Sequence, residues 1–314
     1  MGKEGHLVRR ILFATDFSSC ANHAEEYVAF LARAYGATVD VIHVLEIYEG
    51  TYVTTIQDHR ETDERLADTG RRLQQNTVNV TTQQKTGNPD VLICETATED
   101  HADLIVLGTH GRTGLSHILL GSTAERVLTM APCPVLTVRE SKGGERQHQE
   151  RPVTFEHVVV PTDFSPCSFD ALEYGIQLAG DFAASLTLLH ILEPVSYDPD
   201  LTFAHPAERE GQRVTVELRA LAGTIRSYGI SVREVVRGGL PVDSILEFIR
   251  TSDCHLIVMG THGRRGISHV LKGSVAEGVL RRAVCPVLAM RSFPFAMDHR
   301  RLGAMRRVSS GSGI

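Results

Sequence analysis

Two stretches of this chain place glycines where an anion could approach the backbone closely. Gly108-Thr109-His110-Gly111 is followed by nine residues and then Gly121-Ser122, and Gly260-Thr261-His262-Gly263 is followed by nine residues and then Gly273-Ser274. Glycine tolerates positive φ and presents its N–H without a Cβ in the way. Ser122 and Ser274 open helical patterns, so each adds unpaired N–H groups, the positive end of a helix dipole and a hydroxyl donor. Together these parts make a phosphate cradle. Tight turns with serine N-caps are the competing account, and the recurrence of one spacing in both halves favours the cradle.

Asp16 and Asp163 each follow a strand-like apolar run. A carboxylate there can accept hydrogen bonds from ribose hydroxyls or hold a magnesium ion near phosphates. It can equally form an Asx-turn or cap the next helix, and the two roles are compatible. His110, His117, His262 and His269 lie in the glycine loops without a neighbouring Cys/His/Glu ligand cluster, so they read as loop residues and not as a metal site. His43 and His190 end a strand and read as core-edge residues. Arg112 and the pair Arg264-Arg265 are either positive charge for a polyphosphate or a solvated loop face.

The elements that must position these residues alternate. In the first half, apolar runs at 7–14, 38–44, 78–82, 104–107 and 135–138 read as strands, and 20–35, 58–76, 90–100 and 122–130 read as helices. Ser18 or Ser19 can cap the first helix, and Pro89 stands near the start of the third. Strand–helix alternation of this kind predicts an α/β fold with a parallel sheet covered on both faces. Ligands of such sheets bind beyond the C-terminal strand ends where strand order reverses. The segment 15–18 and the loop 108–122 then meet in one crevice.

The second half restates the first: "RILFATDFSSCANHAEEYVAFLARAYGATVDVIHVLE" is answered by "HVVVPTDFSPCSFDALEYGIQLAGDFAASLTLLHILE", roughly 150 residues on. This predicts two tandem doubly wound domains over 1–140 and 153–292, a polar linker over 141–152 and a basic Ser/Gly-rich tail over 293–314. The 314 residues suffice for two cores. A net charge of -6 lacks the basic excess of a nucleic-acid binder or an anionic-membrane binder. No apolar run approaches the roughly 18 residues of a membrane span, and the N-terminus has no signal-like stretch, so a cytoplasmic protein is expected. The six cysteines form no CxxC pair, which argues against a disulfide framework or a zinc site.

The pattern Gly-x2-Gly-x9-Gly-Ser after the fourth strand, with Thr-Asp-Phe-Ser after the first, resembles the ATP-binding branch of the universal stress protein family, in both copies and from about Val8 to Met290. The resemblance implies a Rossmann-like sheet of order 3-2-1-4-5 in each domain, with ATP, and possible Mg2+, across the switch point. It implies that Asp16 and Asp163 contact the adenosine moiety, that Thr15, Pro161 and Thr162 beside them belong to the nucleotide sites, and that Val44 and Ile191 meet adenine through their backbone. Gly108, Gly111, Gly121 and Ser122 would hold ribose and phosphates, as would Gly260, Gly263, Gly273 and Ser274, with Thr123 and Val275 adding backbone contacts. Ala14 departs from the family pattern, in which the proline seen at Pro161 is usual. The family commonly pairs fifth-strand edges, which implies pairing of the two domains within a chain together with a possible homodimer of two chains.

A regulatory nucleotide-binding stress protein is therefore the expected function. A slow ATPase or phosphoryl-transfer enzyme is the alternative from the enzyme class. No Walker Gly-Lys-Ser/Thr signature and no second carboxylate repeated near the loop support it, and no catalytic residue is assigned. The Ser-Gly-Gly-x-Asp-Ser pyrophosphatase loop and the His-x-Gly-His signature of nucleotidyl transferases are absent as well. A scaffold with empty loops is the third reading, and the double recurrence of the glycine pattern argues against it.

Overall fold

The computed structural model describes residues 7–46, 56–75, 79–109, 120–139, 152–194, 206–261 and 274–291. Its residues fall into two compact units, 1–154 with 280–289, and 155–279 with 290–314.

The first unit runs β1 (Arg10–Ala14), α1 (Ser19–Tyr35), β2 (Thr38–Glu46), α2 (Ile56–Gln74), β3 (Val80–Gly87), α3 (Pro89–Glu99), β4 (Leu104–Gly108), α4 (Ser122–Met130) and β5 (Val135–Val138). Parallel pairing gives the order β3-β2-β1-β4-β5. The chain thus builds outward from β1 on one side, returns, and builds outward again from β4. Ile11, Leu12 and Phe13 of β1 and Ile105 and Val106 of β4 are fully buried. Helices on both faces explain why these central strands read as unbroken apolar runs and not as an alternation.

Helix boundaries follow local chemistry. Ser18 caps α1 by accepting from the Ala21 N–H, and α1 ends at Gly36, whose φ of 64° is the left-handed C-cap that glycine adopts without strain. Pro89 occupies the first turn of α3, where a missing N–H costs nothing. The third strand differs from expectation: it runs Val80–Gly87 and not 78–82. Its second half, Gln83-Gln84-Lys85, is polar because β3 pairs only with β2 and forms an edge, where half-buried polar side chains are tolerated.

The second unit repeats the plan with β6 (His157–Pro161), α5 (Pro166–Asp181), β7 (Ser185–Leu192), α6 (Pro206–Ser227), β8 (Val232–Gly238), α7 (Pro241–Thr251), β9 (Leu256–Gly260) and α8 (Ser274–Arg282). Its parallel pairing is β8-β7-β6-β9. The Thr261 N–H, just past β9, donates to the Met290 carbonyl at 2.9 Å, as the Thr109 N–H donates to Val138 at 2.9 Å in the first unit. Met290 ends β10 (Val287–Met290), whose residues 287–289 group with the first unit and pair antiparallel with β5. The Thr137 hydroxyl reinforces that pairing by donating to the Val287 carbonyl at 3.1 Å. Among the described residues no helix is long and apolar enough to cross a membrane.

Candidate functional site

The segment leaving β1 is held by a set of bonds that the second unit repeats. The Thr15 N–H continues the sheet by donating to the Ile42 carbonyl at 3.0 Å, and Thr162 does the same to Leu189 at 2.9 Å. The chain then turns through Phe17 and Phe164, both at a φ of 60°. A bulky non-glycine residue in that region costs about 1–3 kcal/mol and persists only where its surroundings over-determine it. Here the Thr15 hydroxyl accepts the Phe17 N–H at 3.0 Å, and the Thr162 hydroxyl accepts the Phe164 N–H at 3.1 Å. One carboxylate oxygen of Asp16 accepts the Ser18 N–H at 3.0 Å, and Asp163 accepts that of Ser165 at the same distance. The Ser18 hydroxyl also donates to Asp16 at 2.6 Å. Both aspartates therefore form the Asx-turn, with one oxygen committed to it.

The histidines at the end of the second strand complete the support. His43 is 5% exposed and His190 7%. Each ring places Nδ1 against a carbonyl, Thr15 at 2.7 Å and Thr162 at 2.8 Å. A carbonyl only accepts, so Nδ1 carries the proton and donates. The ring of His43 lies 4.6 Å from that of Phe17, and His190 lies 5.1 Å from Phe164. These core-edge histidines are thus props for the strained turn. Val44 and Ile191 follow them directly, at the C-terminal ends of β2 and β7.

The glycine that ends β4 has a steric duty. A Cβ on Gly108 would stand 2.9 Å from the Ala21 nitrogen and from the Cys20 Cβ. On Gly260 it would stand 2.7 Å from the Cys167 sulfur. These contacts bring the end of β4 or β9 against the first turn of α1 or α5, beside the switch point. The Gly121 N–H donates to the Thr109 carbonyl at 2.8 Å, which sets the start of α4 beside the end of β4.

There α4 opens with Gly121 as N-cap in an extended conformation and with no side-chain capping bond. Its first intrahelical bond runs from the Glu125 N–H to the Gly121 carbonyl at 3.0 Å. The N–H groups of Ser122, Thr123 and Ala124 therefore have no intrahelical partner. Ser122 is exposed. Ser274 opens α8 and Val275 follows it. Gly111, Gly263 and Gly273, with His110, His117, His262, His269, Arg112, Arg264 and Arg265, lie outside the described residues. Among the described residues no three His, Cys, Asp or Glu side chains gather in a group able to hold a metal.

Sequence reasoning missed Arg65. From α2 its Nη2 donates to the Phe17 carbonyl at 3.3 Å, and its guanidinium carbon sits 4.4 Å from the centre of the Phe17 ring. Nothing in the local pattern of α2 marks it, because its partner is 48 residues away. Arg65 also stands in the wall of a cleft of about 620 Å3 between α1 and α2, lined by Asn22, Glu25, Asp68 and Arg72 among others. Among the described residues of the turn 15–18, Phe17 alone lines this cleft, and Arg72 and Glu25 in its wall are paired at 2.7 Å.

Comparison with known proteins agrees with the repeated α/β fold. The profile of the Universal stress protein family matches residues 8–139 and 154–291, which is once per repeat. A universal stress protein of Mycolicibacterium smegmatis is 25% identical over 291 residues, covering 90% of this chain and 96% of its own length. A shorter one from Methanocaldococcus jannaschii is 30% identical over 144 residues, 44% of this chain and 82% of its own. The crystal structure of a universal stress protein from Archaeoglobus fulgidus superposes with a TM-score of 0.70 at 22% identity, covering 92% of this chain and 99% of that one. With both repeats matched over nearly their whole length, the chain belongs to the universal stress protein family.

Proposed function

We propose that each unit binds ATP across its strand switch, and that the protein acts by nucleotide occupancy and not by turnover. One contrast carries the reading. Helix α1 begins in the crevice with its N-terminus closed by Ser18, whereas α4 begins beside it at a glycine and leaves three N–H groups without a side-chain acceptor. An open helix N-terminus next to a glycine loop suits a phosphate group. The turn 15–18, held rigid by Thr15, Asp16 and His43, provides a wall for the nucleoside. The second unit offers the same wall at 162–165.

Mg2+ would arrive with the phosphates. Mg2+ sites of this kind use one or two carboxylates together with phosphate oxygens and water. Asp16 and Asp163, each with one oxygen in the turn, are the carboxylates placed to contribute. No described side chain is assigned as a base: Glu125 and Glu277, in the first turns of α4 and α8, are the acids nearest the loops, and regulatory occupancy is the reading preferred over rapid hydrolysis.

Calorimetric titration of the full chain with ATP and Mg2+ tests the reading. About two sites per chain are expected, with loss of one site in Gly121→Val or Gly273→Val and of both in the double variant. Gly121 has φ -60° and ψ 142°, a conformation that valine also adopts, and circular dichroism of each variant checks that it folds. A well-folded wild type that binds no nucleotide sinks the proposal.

A further inference from the structure

We propose that Arg65 is a positioning residue that latches the β1–α1 turn, and that its presence in the first unit alone makes the two nucleotide sites unequal, the first binding more tightly. The inference rests on the ATP reading above. The turn is strained at Phe17, and Arg65 holds that residue twice, by a hydrogen bond to its carbonyl at 3.3 Å and by a guanidinium 4.4 Å from its ring centre. Phe17 is thereby flanked by His43 and Arg65 and is 9% exposed.

The second unit lacks this latch for a reason visible in register. The buried stripe Thr62, Leu66, Thr69 and Leu73 of α2 answers to Val214, Leu218, Leu221 and Ile225 of α6. This correspondence sets Glu217 where the first unit has Arg65. Glu217 accepts from Arg213 on its own helix at 2.7 Å, and an anion there offers Phe164 neither an N–H nor a cation for its ring. Phe164 instead lies 6.4 Å from Phe169, in the position that Asn22 holds in the first unit, and Phe164 is only half-buried. The same strained turn is therefore supported from two sides in one unit and differently in the other. A pre-set turn binds its ligand without first giving up conformational freedom, which favours the latched site.

Two readouts on the full chain decide it. In nucleotide-free protein, Arg65→Ala is expected to speed amide exchange over residues 15–18 while leaving 162–165 unchanged, with Arg65→Lys intermediate. In the Gly273→Val background, which isolates the first site, Arg65→Ala is expected to weaken ATP binding roughly 2- to 5-fold, the range of one exposed cation–π contact. In the Gly121→Val background, which isolates the second site, it leaves binding unchanged. Unchanged exchange over 15–18 overturns the latch, and faster exchange with unchanged affinity at the first site overturns the inequality. A folded wild type that takes up no ATP overturns the underlying nucleotide reading and the inequality with it, while the exchange measurement still reports on the latch separately.

Discussion

The imidazole Nδ1 of His43 donates to the carbonyl oxygen of Thr15 at 2.7 Å, inside the core and 28 residues away along the chain. The bond joins the end of the second strand to the first residue of the turn that lines the candidate site, and His190 repeats it on Thr162. Removing the ring deletes a buried donor, orphans a buried carbonyl and opens a cavity. His43→Ala is expected to destabilise the first unit by about 2–4 kcal/mol. His43→Asn, whose amide N–H can stand in for Nδ1, should recover part of the loss. Urea unfolding followed by hydrogen exchange of peptides from each unit checks this, with the effect confined to first-unit peptides.

Gly108 and Gly36 should respond to alanine for different reasons. At Gly108 the added Cβ meets the backbone of α1 at 2.9 Å, and overpacking of that kind costs about 1–3 kcal/mol. It should also push the strand end away from the turn and weaken nucleotide binding. At Gly36 nothing lies within 4 Å, so only the φ of 64° is strained, at about 1–2 kcal/mol. Gly36→Ala should therefore lower the unfolding midpoint while leaving the ligand titration unchanged.

The second unit should lose stability on mild acidification. Burial, and then the Arg233 guanidinium, push the His157 ring below its usual value, with neighbouring His255 acting in the same direction and the backbone near Ser252 and Asp253 opposing. The unfolded chain thus takes up the proton more readily than the folded one. This contribution falls as pH drops through the ordinary histidine value of about 6.5 and levels off below the depressed folded value. Unfolding midpoints at pH 7.5 and 5.5 should differ less in His157→Gln than in wild type.

Thiol reactivity should follow burial. Burial pushes Cys133 up to about 12, with Asp103 adding to it, and Cys94 up to about 11, with Asp90 and Glu95 adding. Both should resist iodoacetamide at pH 8 in native protein and react once it is unfolded. Cys254 and Cys285, which are partly exposed, should label first. Mass spectrometry of briefly alkylated protein distinguishes the two groups, and early labelling of Cys133 would contradict the packing described.

Much of this architecture is legible along the chain because its signals are local. Apolar runs alternating with helical periodicity, Ser18 before α1 and Pro89 at the start of α3 each act within a few residues, and the duplicated glycine spacing marks where a phosphate could lie. The polar half of β3 escaped that reading because its pairing with β2, and not its own composition, makes it a strand.

The sequence by itself determined the α/β alternation, the two repeats and the open helix start at Gly121, since propensity, capping and backbone freedom are properties of neighbouring residues. Only the tertiary structure decided that His43 props Thr15, that Arg65 grips Phe17, that Gly108 must lack a Cβ against Cys20 and Ala21, and that residues 280–289 group with the first unit. Each of these depends on which distant residues the sheet brings within a few ångströms, and strand order and register set that distance, not the spacing along the chain.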